Sequence, residues 1–529
     1  MKFWGWGYAD EAVAADEVGP VISHITGQLG ALGAKPATAP RLEDIALAAP
    51  RVSVPGSLAE ICSTEKNDRV VHTYGKSFID YARTLVRDFT NAPDVVAYPN
   101  TEREVIDLLD WASRANVAAI PFGAGSSVVG GIEPAVDDSY DGTLTIDLRR
   151  LDTVLEIDKT SRAARIQAGI FGPALEAALK PHGLTLRHFP QSFEYSSLGG
   201  WIATRAGGHF ATLYTHIDDF VESLRVVTPA GTMESRRLPG SGAGPSPDRM
   251  FIGSEGILGV ITEAWVRLQD RPTFRAGTAL AFDKFADAAE AVRAISQAGL
   301  YPANCRLVDA TEAANTGAGD GSAHLVVLAF ESADHPVDAW MARAIECAQD
   351  HGGTMPDPAG EKGHRDGAAG RWRTAFTRAP YYRDEIIARG IIQDTFETAI
   401  TWDRFTEFHA QVKAAAVDAI RRVTGRDGTV SCRFTHTYPD GPAPYFTFHA
   451  VSSTDSMISH WRDIKQAVSE ALLKYGGTIT HHHAVGRDHR PWYDRQRPQL
   501  FAAGLAAAKQ KLDPQGVLNP GVLIDPLRP

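Results

Sequence analysis

The sequence predicts an α+β protein with at least two domains. At 529 residues the chain is too long for one ordinary hydrophobic core. From near Asp94, short β-type runs alternate with amphipathic helical stretches and with loops rich in glycine and serine. A second region of alternating strands and amphipathic helices begins near Phe274, after the last of these loops. The change of pattern near Phe274 therefore marks the predicted domain boundary.

Composition and charge exclude several classes of protein. The formal net charge is -11, from 53 basic and 64 acidic side chains, which argues against a general nucleic-acid binder. The four cysteines form no CxxC pair, so we expect neither a disulfide framework nor a zinc ribbon. The N-terminus lacks the apolar core of a signal peptide, and no apolar run approaches the roughly twenty residues that span a bilayer. We therefore expect a soluble, cytoplasmic enzyme, with peripheral membrane contact left open.

The elements of the first region follow from local signals. Residues 1–88 combine short helical stretches with proline-rich and glycine-rich connectors and are predicted to form a helical arm on a larger body. A helix begins at Thr101, with Glu104 three positions later as a capping box. The predicted strands of this region are 95–99, 118–121, 144–147, 164–168, 223–227 and 259–266.

In the second region, residues 282–298 and 339–348 have apolar side chains at helical spacing, which predicts two amphipathic helices. Residues 354–370 are rich in glycine, proline and charge and are predicted to form a mobile loop.

Three loops rich in small residues carry the first functional signal. Residues 121–127 read PFGAGSS after a strand, residues 190–206 contain a second cluster, and residues 253–262 contain a third. Glycines let backbone N–H groups approach a diphosphate, and serine hydroxyls add donors. The GxGxxG spacing of a Rossmann fold is missing, and no Gly-Lys-Ser/Thr follows as in a Walker A loop. The candidate cofactor residues are Pro121, Phe122, Gly123, Ala124, Gly125, Ser126, Ser127, Pro190, Gln191, Ser192, Ser196, Gly199, Gly200, Ala203, Thr204, Arg205, Ala206, Glu255, Gly256, Leu258, Gly259, Val260 and Ile261.

These three loops, together with the C-terminal run 512–521, closely resemble the vanillyl-alcohol oxidase and p-cresol methylhydroxylase (PCMH) superfamily. The resemblance implies a PCMH-type FAD-binding domain of two subdomains over residues 89–270. It also implies a cap over 271–475, with an antiparallel sheet flanked by helices, and a C-terminal segment over 476–529 that returns to the FAD. No histidine matches a covalent attachment site, so we expect non-covalent FAD.

Within this superfamily, several segments resemble the alkyldihydroxyacetonephosphate synthase family, namely 5–8, 199–206, 395–403, 431–433 and 481–486. The resemblance implies exchange of the acyl chain of an acyl-dihydroxyacetone phosphate for a fatty alcohol, which makes an ether lipid without net redox. The partners implied are a small lipid phosphate and a fatty alcohol, and a homodimer is expected.

Three further site residues are carried over from the family. Tyr445 matches its catalytic tyrosine, which can relay a proton if nearby cations depress its pKa. Arg383 matches a substrate-binding arginine and Arg306 a second required one, since a guanidinium binds phosphate in a bidentate manner. Without the resemblance, Tyr445 would be a core aromatic of a strand and each arginine an ordinary ion-pair residue.

The run His481, His482 and His483 is the most distinctive feature of the chain. It follows a predicted strand at 477–480, and alternation would put the first and third side chains on one face. A metal site, a phosphate and proton-transfer site, and structural histidines all remain open. Adjacent histidines cannot easily share one ion, and no carboxylate or cysteine pair accompanies them at ligand spacing, so we expect a catalytic role without a metal. Two departures from the family, at Ala484 and over 487–491, affect substrate detail.

Two other functions remain open at this point. One is an FAD-linked dehydrogenase or oxidase acting on a 2-hydroxy acid or another alcohol. Such enzymes tend to carry a Glu-His-Gly step near the C-terminus, where this chain has His-His-His-Ala. The other is a non-catalytic FAD-binding scaffold, which the joint presence of Tyr445, Arg306, Arg383 and the three histidines disfavours.

Overall fold

The computed structural model describes residues 1–11, 13–30, 36–214, 216–355, 370, 374 and 377–525. Its helices and antiparallel sheets confirm the predicted α+β class. Most of the predicted mobile loop, 356–369, lies outside the described residues. None of the described helices is long and apolar enough to cross a membrane.

The helices and strands are numbered here in chain order. The helices are α1 (Ala15–Leu29), α2 (Lys66–Val71), α3 (Phe78–Leu85), α4 (Glu102–Arg114), α5 (Gly172–Leu179), α6 (Leu198–Thr204), α7 (Ala211–Tyr214), α8 (Ile217–Phe220), α9 (Asp248–Phe251), α10 (Phe285–Gln297), α11 (Ala310–Asn315), α12 (Asp338–Gln349), α13 (Arg383–Ala388), α14 (Trp402–Thr424), α15 (Met457–Lys474), α16 (Arg490–Gln496) and α17 (Gln499–Leu512). The strands are β1 (Cys62–Ser63), β2 (Val95–Ala97), β3 (Val117–Phe122), β4 (Gly142–Asp147), β5 (Val154–Asp158), β6 (Ala163–Gln167), β7 (Leu184–Thr185), β8 (Val221–Thr228), β9 (Gly231–Glu234), β10 (Val260–Arg267), β11 (Gln269–Asp270), β12 (Phe274–Phe282), β13 (Asn304–Val308), β14 (His324–Ser332), β15 (Ile391–Glu397), β16 (Thr429–Thr437) and β17 (Pro442–Val451).

The first region folds around two sheets, as expected for a domain of two subdomains. Strands β1-β2-β4-β3 form a four-stranded sheet in which β2, β3 and β4 run parallel. Strands β5-β6-β10-β8-β9 form a five-stranded antiparallel sheet. The apolar positions of α4 are buried at Val105, Leu108, Leu109 and Ala112, as their spacing predicts.

The capping box at the start of α4 is only half present. The Thr101 hydroxyl accepts from the Glu104 amide, as predicted. The Glu104 carboxylate, however, accepts from the Asn100 amide at 2.6 Å rather than from Thr101. The physical reason is that the chain enters the helix with the Asn100 amide aimed at the same carboxylate.

The second region is built on one six-stranded antiparallel sheet, in the order β12-β14-β13-β16-β17-β15. Helices α10, α12, α14 and α15 share a large apolar core with this sheet. The register pairs Tyr445 of β17 with Glu397 of β15 on one side and with Arg433 of β16 on the other. Because directly paired residues share a face, these three polar side chains form a row on one face of the sheet.

The N-terminal residues do more than wrap around the body. Phe78 of α3 is fully buried and stacks on Trp461 of the second region, so the end of the predicted arm belongs to that region's core. The Lys76 ammonium donates to the backbone oxygens of Lys2 and Gly5, both at 3.0 Å. These bonds hold the first residues of the chain against the segment that leads into α3.

Candidate active site

A cavity of about 1080 Å³ lies where the two regions, the N-terminal segment and the triple-histidine segment meet. Its wall combines the loop 123–129, residues of 190–208, and one face of the sheet strands β15, β16 and β17. Pockets for one drug-sized ligand range from roughly 300 to 1000 Å³. This cavity exceeds that range and has room for a cofactor together with a substrate.

The loop 123–127 has the chemistry to hold a diphosphate. Gly125 has φ +76°, and a side chain at Gly123 would place its Cβ 2.2 Å from the Ser197 hydroxyl oxygen. Among the hydrogen bonds of the described part of the chain, the amides of Ala124 and Gly125 have no acceptor. A tight, neutral loop with amides left to donate fits the diphosphate of FAD.

The predicted cofactor residues divide into two groups. Those that line the cavity are Gly123, Ala124, Gly125, Ser126, Ser127, Pro190, Gln191, Ser192, Ser196, Gly200, Thr204 and Ala206. Those that lie outside its described lining are Pro121, Phe122, Gly199, Ala203, Arg205, Glu255, Gly256, Leu258, Gly259, Val260 and Ile261. Direct contact between the second group and FAD stays a prediction.

Two members of the second group have structural partners of their own. Arg205 ends α6 in the left-handed region, and its guanidinium pairs with Asp218 at 2.7 Å. Glu255 accepts the amides of Val485 and Gly486, both at 2.8 Å, and its burial raises the pKa of its carboxyl to about 7. Glu255 thus ties the third small-residue loop to the segment that follows the histidines.

Tyr445 lies on the cavity wall and is buried. The guanidinium carbon of Arg433 is 4.0 Å from its ring centroid. Burial raises the pKa of the Tyr445 phenol, although Arg433 and Arg383 pull it down. The condition of a depressed pKa is therefore not met, because burial outweighs the cations. At neutral pH Tyr445 is a phenol that can donate a proton.

Both predicted arginines line the cavity. Arg306 is 2% exposed, donates to the Asn304 side chain at 3.1 Å and to the His209 carbonyl at 3.2 Å. Burial and the neighbouring Arg433 lower the pKa of Arg306 to about 9. Like charges repel, and although the Glu312 carboxylate ion-pairs with Arg433, an anion bound beside Arg306 would relieve the remaining repulsion. This pair therefore favours a phosphate or carboxylate in the cavity.

Arg383 is held differently from Arg306. Its guanidinium pairs with Asp394 at 2.9 Å and donates to the Lys76 carbonyl at 3.0 Å. Asp394 also accepts from the Trp461 indole at 2.6 Å. Arg383 is therefore fixed at the cavity wall by a buried network that includes the N-terminal region.

The triple-histidine segment is organised by Glu397, not by a strand. Residues 477–480 have no strand assignment, so the predicted strand and the facial alternation derived from it are wrong. The Glu397 carboxylate accepts the amides of His481, His482 and His483 at 2.8, 3.2 and 3.1 Å. Successive amides converging on one carboxylate require a turn, and a turn cannot alternate its side chains as a strand does.

The three histidines therefore share one neighbourhood. His482 and His483 line the cavity, and the His482 imidazole lies 3.2 Å from the Glu397 carboxylate. His481 lies behind them, in contact with the Tyr438 hydroxyl at 3.0 Å. Burial lowers the pKa of His481 well below its usual value and that of His483 to about 3. Both imidazoles are neutral at physiological pH.

Several cavity residues were not singled out from sequence. They are Trp6, Lys76, Glu312, Asp394, Arg433, His436, Lys465 and His489. Arg433 lies in the segment 431–433, which carries the family resemblance. Its residue type and its position in the sequence do not by themselves indicate a role. Within the described part of the chain, six cationic side chains and three carboxylates line the cavity, which suits an anionic ligand.

Comparison with known proteins agrees with this geometry. Residues 93–235 match the family "FAD binding domain", and residues 271–523 match "FAD linked oxidases, C-terminal domain". A p-cresol methylhydroxylase structure, 14% identical, superimposes with a TM-score of 0.69 over 97% of this chain and 98% of that chain, which shows the fold alone. Fold, cavity and matched families together define an FAD-binding flavoprotein.

More similar relatives narrow the family. The alkyldihydroxyacetonephosphate synthase of Dictyostelium discoideum is 30% identical over 88% of this chain and 78% of its own length. That of Trypanosoma brucei brucei is 29% identical over 86% and 77%. A solved alkyldihydroxyacetonephosphate synthase, 27% identical, covers 98% of both chains with a TM-score of 0.81. The chain belongs to the alkyldihydroxyacetonephosphate synthase family.

Proposed function

We propose that this protein exchanges the acyl chain of an acyl-dihydroxyacetone phosphate for a fatty alcohol, without net redox. One observation carries the proposal. Tyr445, Arg306, Arg433 and the triple-histidine segment converge on the same cavity as the loop 123–127. A proton donor, an anion site and a cofactor loop are the parts that this reaction needs.

The loop 123–127 and the cavity residues of 190–206 would hold FAD. When bound, its ring supplies a nucleophile and an electron sink for substitution beside a ketone. Phosphate binding and proton transfer fall on side chains of this protein.

Arg306 and Arg433 bind the phosphate of the substrate, because both are cationic and both line the cavity. The Arg383–Asp394 pair holds the wall beside the head group. Tyr445 relays the proton at the reacting carbon. Its phenol is protonated at rest and faces the same space, so it first passes its own proton to the neutral imidazole of His483, then takes the proton that the carbon loses, and the reverse steps return it. The His482 and His483 rings stand next to Tyr445, with centroids 6.0 and 5.4 Å from the centroid of its ring.

The competing oxidoreductase reaction is distinguished by one experiment. Purified holoenzyme is mixed anaerobically with acyl-dihydroxyacetone phosphate and a labelled fatty alcohol. Labelled ether together with released fatty acid supports the proposal. Absence of ether, with bleaching of the flavin by a 2-hydroxy acid and turnover by an electron acceptor, would establish the dehydrogenase instead.

Non-covalent FAD, a homodimer and a cytoplasmic location with peripheral membrane contact complete the proposal. Membrane contact is supported by Leu500 and Phe501 at the start of α17, which are 89% and 55% exposed. Sedimentation with phospholipid vesicles, compared between the native chain and a Leu500→Ser/Phe501→Ser variant, tests this contact. Light scattering on the eluting protein tests the dimer.

A further inference from the structure

Three histidines from separate parts of the chain meet behind the cavity. His216 precedes α8, His436 lies near the end of β16, and His481 opens the triple-histidine turn. One ligand nitrogen from each lies within 4.8 Å of the other two. This cluster does not depend on three adjacent histidines sharing one ion, which was the geometric objection to a metal here.

His436 is the member of the cluster whose ring nitrogens lack hydrogen-bond partners among the residues that the structure describes. It is 1% exposed, and neither ring nitrogen has a hydrogen-bond partner in the described part of the chain. A buried imidazole without partners carries the desolvation cost of both nitrogens. The β-sheet register shifts between Phe434 and His436, and this bulge accompanies the placement of both Thr435 and His436 on the cavity wall.

The other two histidines are already oriented. The Tyr438 hydroxyl contacts the Nε2 atoms of both His216 and His481. His216 also bonds to the backbone of Arg205. A backbone partner of this kind holds the His216 ring in place, and a metal bound at Nε2 would take the position of the Tyr438 hydroxyl.

We propose that His216, His436 and His481 form a binding site for one divalent transition metal of the zinc class. Imidazole is the ligand that Zn²⁺, Co²⁺ and Ni²⁺ share, and three imidazoles leave one position open. A Zn–N bond of about 2.1 Å holds ligand nitrogens no more than about 4.2 Å apart, so small side-chain rotations from the observed spacing close the site.

The charged groups around the cluster are mixed. Burial lowers the pKa of all three imidazoles, those of His436 and His481 most strongly, so the ligands are neutral at physiological pH. The carboxylates of Asp218 and Glu397 act on His216 and His481, whereas the guanidinium groups of Arg205 and Arg306 oppose them. Since His436 lines the cavity, a metal bound to it would lie beside the cavity, where an oxygen of an anionic ligand could take the open position.

Cobalt binding to the holoenzyme tests the site directly. Protein produced without a histidine tag is stripped with a chelator and titrated with Co²⁺, while absorption is followed at wavelengths beyond the flavin bands. We expect one equivalent with the intense spectrum of a tetrahedral site, displaced by Zn²⁺. The proposal would be overturned if Co²⁺ saturates the protein without producing that spectrum. It would also be overturned if replacing a histidine of the cluster leaves Co²⁺ binding unchanged.

His436→Gln and His216→Asn each remove one ligand, and each is expected to weaken Co²⁺ binding at least about a hundredfold. His335→Gln, at an exposed histidine outside the cluster, is the matched control and is expected to bind as the native chain does. Melting temperature and FAD content identify a variant that has failed to fold. If one of the two ligand variants fails in this way, Co²⁺ binding by the other variant tests the site. The metal readout is independent of ether formation, so either proposal can fail without the other.

Discussion

Arg433 lies over the face of the Tyr445 ring, with its guanidinium carbon 4.0 Å from the ring centroid, and ion-pairs with Glu312 on its other side. The two residues are direct cross-strand partners of β16 and β17. A buried cation over a phenol stabilises the phenolate. This pair therefore couples the stability of the sheet to the proton chemistry of Tyr445.

Replacement of Arg433 separates those two effects. Arg433→Met leaves the buried Glu312 carboxylate without its cation, which is expected to cost about 3–5 kcal/mol of unfolding free energy. The double variant Arg433→Met/Glu312→Gln removes both charges and is expected to regain most of that stability. Its turnover should stay low, because the cation over Tyr445 is still missing. Denaturant unfolding and single-turnover rates, measured on both variants, check this; a double variant with native turnover would contradict it.

Glu397 is expected to control the triple-histidine turn. Burial raises the pKa of its carboxyl, but the three neighbouring histidines together outweigh burial, and the pKa lies well below its usual value. A depressed pKa gives stability that is present above about pH 4.5 and is lost as the pH falls through the folded pKa. Glu397→Gln should therefore lose about 3 kcal/mol or more at pH 7, with a smaller difference from the native chain below pH ~4.5. Unfolding at several pH values measures it, and a pH-independent difference would refute it.

The tight approach at Gly123 predicts a selective loss of cofactor. Gly123→Ala forces its Cβ against the Ser197 hydroxyl, which caps α6 by accepting from the Gly200 amide. We expect reduced FAD content in the purified variant, because both loops line the cofactor end of the cavity. Gly27→Ala, at an exposed helical glycine with open space around it, is the matched control and should keep full FAD. Equal flavin content in the two variants would contradict the assignment of this loop.

FAD is expected to be bound without a covalent link, because no attachment residue was recognised. Acid precipitation of the yellow protein should leave the flavin in the supernatant. A yellow pellet after precipitation and washing would identify a covalent bond. Absorbance of the two fractions measures the partition.

The sequence predicted the parts of this protein whose signals are local. The helical spacing in α4, the strands around the small-residue loops and the α+β class are present as expected. The predicted strand at 477–480 is wrong because its amides bond to scattered acceptors instead of one neighbouring strand. Gly477 donates to the Leu472 carbonyl, Thr478 to the Ala399 carbonyl and Ile479 to the Gln496 side chain. No local pattern encodes such a contact.

The same reason explains the site residues that were missed. Lys76 lines the cavity where the N-terminal residues fold back and accept its hydrogen bonds. His436 lines the cavity next to a bulge in β16. Arg433 is paired with Tyr445 only once the sheet register is known. Each depends on tertiary packing, whereas Tyr445 and the histidines were recognised by their resemblance to a family.

Single-turnover ether formation by Tyr445→Phe is the most direct test of the central claim. The substitution removes one hydroxyl, so FAD content, melting temperature and substrate binding should match those of the native chain. A positioned acid–base group contributes about a hundred- to ten-thousand-fold, and the rate should fall by that factor. A folded, FAD-loaded Tyr445→Phe protein that forms labelled ether at the native rate would contradict the assignment of proton transfer to Tyr445.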